Sequence, residues 1–121
     1  MKQKLGYLFS GVLLTLLALT PLYFKMVQRT QEAELKLTLF NLRHTIDRYT
    51  FATKLAPQKL DDLVAGGFLR ALPVDPITGK NSWRVVQEDV LSAPDPKKPG
   101  IWDIRSTSEK SGLDGTPYSE W

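Results

Sequence analysis

The chain has 121 residues, no cysteine, and 16 basic against 13 acidic side chains. Without cysteine there is no disulfide framework and no thiol chemistry, and no paired histidine, glycine-rich phosphate loop or serine-nucleophile motif points to an enzyme. Lys2 and Lys4 precede a long apolar run, so from Lys25 onward the balance is 14 bases to 13 acids, which gives no reason to expect nucleic acid as a partner.

Between Lys4 and Lys25 there is no charged residue. A hydrocarbon core of about 30 Å needs roughly 20 apolar residues in helical form, and Leu5 to Phe24 supplies them, with Leu13, Leu16 and Leu17 near the centre. Ser10, Thr15 and Thr20 can return their hydroxyls to the carbonyl one turn earlier, at little cost in lipid. Tyr7 and Tyr23 sit where aromatic rings favour the membrane interface. A cleaved secretory signal is the alternative, but Pro21 directly after Ala18-Leu19-Thr20 obstructs cleavage and the run exceeds a usual signal core. An uncleaved single-pass anchor is therefore expected, its N-terminus cytoplasmic and its C-terminal domain exported.

Beyond the anchor, Leu35, Leu39, Leu42, Ile46 and Tyr49 recur at four, three, four and three, a continuous helical stripe. The opposite face, with Glu34, Lys36, Arg43, Asp47 and Arg48, reads as a solvated surface. His44 has no second histidine or cysteine with which to form a ligand set, so a surface or packing role is expected. Pro21 should kink this helix rather than end it, because the periodicity resumes. The expected organisation is a leader and transmembrane segment over 1–24, the amphipathic half of one stem helix over 25–52, and a small globular domain over 53–121. A body of that size rarely has a self-sufficient core, so it must lean on the helix, on partners or on an ion.

That domain is rich in turns. Pro57 suits the first turn of a second helix, with Asp61 and Asp62 near its positive end, Leu60, Leu63 and Val64 on its apolar face, and Gly66-Gly67 as its stop. Pro73 and Pro76 make Phe68 to Pro76 an extended connector. Trp83 and Val85 alternate with Arg84, and Trp102 and Ile104 with Asp103, predicting two short strands. Pro94, Pro96 and Pro99 mark an exposed loop between them. The tail from Ser106 has turn chemistry, and Tyr118 and Trp121 should pin it to the domain.

This arrangement resembles the type IV pilin-like proteins, and the region from Leu42 to Trp121 resembles the major pseudopilins of type II secretion systems. The resemblance is carried by Leu42-Arg43-His44-Thr45-Ile46-Asp47-Arg48-Tyr49, Leu60-Asp61-Asp62-Leu63-Val64 and Gly67-Phe68-Leu69-Arg70. The most specific stretch is Leu72-Pro73-Val74-Asp75-Pro76-Ile77-Thr78-Gly79. Asp103-Ile104-Arg105-Ser106 and Asp114-Gly115-Thr116-Pro117-Tyr118-Ser119-Glu120-Trp121 support it. It implies an α+β, pilin-like fold: a long N-terminal helix, transmembrane then amphipathic, packed on a small C-terminal antiparallel sheet.

The resemblance implies a mechanical function: a subunit that polymerises through its stem into a periplasmic pseudopilus and helps export folded proteins. Its partners would be like subunits, other pseudopilins and inner-membrane platform proteins, in a bacterial inner membrane. Leu13, Leu16, Leu17, Leu35, Leu39, Leu42 and Ile46 would pack neighbouring stems, and charge at Leu39 or Leu42 would abolish assembly. Gly6-Tyr7 would be the prepilin processing site, although the family's Glu five residues after the processing glycine is Gly11 here. Calcium is the cofactor the family suggests, with Glu109 and Asp114 as candidate ligands in the C-terminal loop; solvated turn acids are the alternative reading of that pair. The alternatives for the whole chain are a type IV pilus or minor pilin subunit, or a membrane-tethered binding module that never polymerises.

Overall fold

The computed structural model describes residues 2–121; Met1 and the side chain of Lys2, both part of the expected basic leader, lie outside the described residues. Helix α1, Lys2–Thr53, is continuous through Pro21. It ends where Lys54 takes a left-handed conformation (φ 62°) and its amide returns to the Thr50 carbonyl at 2.9 Å. The chain divides between Thr30 and Gln31 into two compact units, with α1 contributing to both.

The unit up to Thr30 is helix alone among the described residues. Its apolar side chains, Leu5 through Phe24, are uncovered, and α1 contains a stretch long and apolar enough to cross a membrane, none of it buried within the molecule. The hydroxyls of Thr15 and Thr20 donate to the carbonyls of Gly11 and Leu16 at 2.9 and 2.8 Å. These side chains therefore present no unsatisfied donor to lipid, as their helical setting predicts.

The unit from Gln31 is built on the rest of α1. Leu35, Leu39, Leu42 and Ile46 are all at most 2% exposed and pack with Leu63, Trp83, Ile101, Ile104 and Tyr118. Each such burial contributes on the order of 1.5–3 kcal/mol. The helix supplies most of one side of this core, so roughly 70 following residues need only cover it. That is the α+β arrangement expected from the sequence: a long N-terminal helix against a small antiparallel sheet.

The sheet has two strands, β1 (Arg84–Gln87) and β2 (Ile101–Arg105), paired antiparallel. Arg84 faces Arg105, Val85 faces Ile104 and Val86 faces Asp103, but Gln87 faces Ile101. Trp102 is thus the extra residue of a β-bulge. Strict alternation puts Trp102 and Ile104 on one face; the bulge shifts the phase, so Ile101 and Ile104 are both buried while Trp102 is exposed. The predicted strand is correct in place and altered in facing.

Helix α2 is shorter than the sequence suggests, Asp61–Ala65, and begins four residues after Pro57. Pro57 is buried in extended chain, and its carbonyl accepts the Ile101 amide at 2.8 Å. Asp62 accepts the amides of Gln58 and Lys59 at 2.9 and 3.1 Å, which ties the preceding turn to the helix start. The predicted stop holds. Gly67 has φ 78°, and the bonds Phe68 N to Leu63 O and Gly67 N to Val64 O form a Schellman motif.

The connector Leu72 to Gly79 is organised by Asp75, which is fully buried. Its carboxylate accepts the Ile77 amide at 2.8 Å and the Ser106 hydroxyl at 2.6 Å. Its backbone closes a turn on Lys80 and Gly79 at 2.8 Å each. The exit of β2 is thereby fastened to the connector. Trp83 adds a second fastening, donating from Nε1 to the Pro73 carbonyl at 2.9 Å.

Candidate interaction surface

Within the unit from Gln31, α1 presents two faces. The stripe Leu35, Leu39, Leu42 and Ile46 is consumed by the chain's own core. The packing against neighbouring stems expected of these four is therefore corrected: their contacts are intramolecular, and a charge at Leu39 or Leu42 would act first on folding. The other face carries Ala33, Leu37, Phe40, His44 and Phe51, all exposed, with Phe40 at 67% and Phe51 at 77%. Phe40 and His44 lie parallel, centroids 6.3 Å apart, so the histidine has the surface packing role expected of it.

The C-terminal segment closes over one edge of this helix. Tyr118 is 2% exposed and meets Trp121 edge to face at 5.0 Å, so the aromatic pinning predicted for the tail is present. Lys36 places its ammonium over the Trp121 ring at 4.9 Å. Glu32, 8% exposed, accepts the Leu113 amide at 2.7 Å and the Tyr118 hydroxyl at 2.8 Å. Gly112 is required here because a Cβ would lie 2.8 Å from the Trp121 ring and 3.2 Å from carboxylate oxygens of Glu32 and Asp114.

Three arginines grip the end of the segment, where a 3-10 turn spans Tyr118–Glu120. Arg84 donates to the Ser119 carbonyl, Arg105 to the Glu120 carbonyl at 2.7 Å and Arg43 to the Trp121 carbonyl at 2.7 Å. Carbonyls at a helical C-terminus lack intrahelical partners and favour cations. Arg43 also donates to Asp103 Oδ1 at 2.6 Å and to the Ile104 carbonyl at 3.0 Å. It is therefore a junction of α1, β2 and the tail rather than a solvated residue. A groove of about 440 Å³ remains beside it, lined by Lys36, Leu39, Phe40, Arg43, Asp114, Thr116 and Trp121.

The other expected residues lie as follows. Leu13, Leu16 and Leu17 are 59–61% exposed, and Tyr7 is exposed with open space at Gly6. Glu109 and Asp114 are engaged separately. Glu109 accepts the Ser119 hydroxyl at 3.4 Å, and Asp114 accepts the Thr116 amide at 2.9 Å, closing its own turn. Among the described residues no group of three or more His, Asp or Glu side chains is placed to hold a metal ion. Glu32 and Asp75, both buried, and Arg43, Arg84 and Arg105 hold these segments together, roles that composition and spacing do not signal.

No protein-family model, curated protein or solved structure matches the chain.

Proposed function

We propose that the protein is a structural, non-catalytic subunit of a type II secretion-like apparatus. It is held in a bacterial inner membrane by one span, with its folded body in the periplasm, and assembles with like subunits and other pseudopilins on a membrane platform. One observation carries this reading: a single helix, Lys2–Thr53, is both an uncovered apolar span and the spine of the folded body. Span and body thereby share one continuous helix, whose backbone ladder misses the bond that Pro21, without an amide hydrogen, cannot make to the Leu17 carbonyl. The rest of the body is organised around holding that spine, through Glu32, Arg43 and the buried leucines.

Deleting the gene should leave folded exoproteins in the periplasm; unchanged secretion would reject the assignment, and loss of surface fibres instead would place the protein in a pilus. A second reading, a monomeric tethered binding module, is favoured by Gly11. The span offers no carboxylate there to neutralise a neighbour's amino terminus, and an unpaired charge in lipid is costly. The mass of the membrane-extracted protein separates the readings. Cleavage after Gly6 with a modified Tyr7 supports assembly, and an intact leader supports the tether.

A further inference from the structure

Strand β1 is an open edge of the sheet. The amides of Ile101 and Ile104 point away from it, to the Pro57 carbonyl and to Asp103 Oδ1, at 2.8 Å each. These residues stand opposite Gln87 and Val85, so the two pairs are the non-hydrogen-bonded ones of the ladder. The Glu88 amide crosses to the Gly100 carbonyl at 2.8 Å, in the same phase. The amides and carbonyls of Val85 and Gln87 therefore point outward, and among the described residues nothing bonds them. The Val85 side chain, on the face of the fully buried Ile104, is itself 39% exposed. Arg84, Val86 and Glu88 alternate along the other face. Arg84 donates to the neutral Ser119 carbonyl and Glu88 accepts the neutral Gly100 amide, so neither charge is met by an opposite one, unlike that of Arg43 on Asp103.

We propose that β1 pairs antiparallel with β1 of a second copy, about a two-fold axis at Val86. In that register Val85 of each copy exchanges both backbone bonds with Gln87 of the other, Val86 meets Val86, and Arg84 stands opposite Glu88 twice. A shift by one residue sets outward groups against inward ones. A shift by two leaves a single pair, Val85 on Val85 or Gln87 on Gln87, and separates Arg84 from Glu88. The backbone phase and the charges thus select the same register. The contact is isologous and closes on itself, so it is distinct from any packing of stems and holds equally for a tethered module. An edge of four residues is far below a standard interface. The pair therefore forms where spans in one membrane hold copies close, and not between free bodies in dilute solution.

The chain has no cysteine, so single cysteines report the register in the full-length protein in membranes. Residues opposite each other in a non-hydrogen-bonded pair lie about 4.5 Å apart at Cα, within disulfide reach. Val86→Cys alone should give a disulfide-linked homodimer on mild oxidation. Arg84→Cys alone should not, since its two copies would lie roughly 13 Å apart along the strands. Co-expressed, differently tagged Arg84→Cys and Glu88→Cys chains should give the mixed product. No dimer from Val86→Cys, or as much from Arg84→Cys, would overturn the pairing. Hydrogen exchange identifies what replaces it. Protected Val85 and Gln87 amides without a Val86→Cys dimer would mean that a strand of another protein covers the edge, and free exchange that nothing does; either result rejects the second copy.

Discussion

Arg43 shows how much one surface-reading residue can carry. Its guanidinium spends three donated bonds on Asp103, the Ile104 carbonyl and the Trp121 carbonyl, linking elements 60 to 78 residues apart in sequence. Its side chain is 37% exposed, which moderates each bond. Arg43→Met should lower stability by about 2–3 kcal/mol, read as a drop in Tm. Arg43→Lys should recover less than half of that, since an ammonium cannot reproduce the fork. Asp75 is the buried counterpart. Asp75→Ala leaves the Ser106 hydroxyl proton and the Ile77 amide without their acceptor inside the protein and should cost about 2–4 kcal/mol. Ser106→Ala should cost about half as much, and the double mutant should be clearly less than additive, as for residues sharing one bond. Neither role was legible in the sequence, because both depend on partners fixed only by tertiary structure. The apolar stripe from Leu35 to Ile46 was legible, since burial follows helical period directly.

At the scale of elements, the bulge at Trp102 decides which side chains reach the core. Because Gln87 pairs with Ile101 and Val86 with Asp103, removing Trp102 would leave a regular ladder with Ile101 and Ile104 still on one face. Deletion of Trp102 should therefore be tolerated, at a cost of about 1 kcal/mol or less. Inserting one alanine after Asp103 keeps Ile101 and Ile104 an even number of residues apart but moves Ile101 two positions along β1, away from Gln87 and from the Pro57 carbonyl that its amide bonds, with a loss of about 3 kcal/mol or more. Denaturant unfolding of the two variants gives the comparison, and equal losses would contradict this account of the bulge. Strand positions were legible from composition; the phase within β2 was not, since alternation read from Trp102 presupposes regular pairing. The start of α2 failed for a similar reason. Pro57 has the right chemistry for a first helical turn, but its carbonyl is committed to the Ile101 amide and the segment stays extended.

For the whole molecule the question is which residues the folded body needs. Among the described residues no buried side chain precedes Glu32, and every member of the core lies from Leu35 onward. The span contributes exposed apolar surface and nothing to that core, so in water it is a liability and in lipid an anchor. A chain beginning at Lys25 keeps about two helical turns ahead of Glu32 and retains Glu32's bonds to Leu113 and Tyr118. It should be soluble, monomeric at micromolar concentration, and should melt within about 3 °C of the detergent-solubilised full chain. The full chain should remain with membranes through alkaline extraction, whereas the shortened one should not associate with them. Aggregation or a large loss of Tm on shortening would mean that residues before Lys25 help to fold the body.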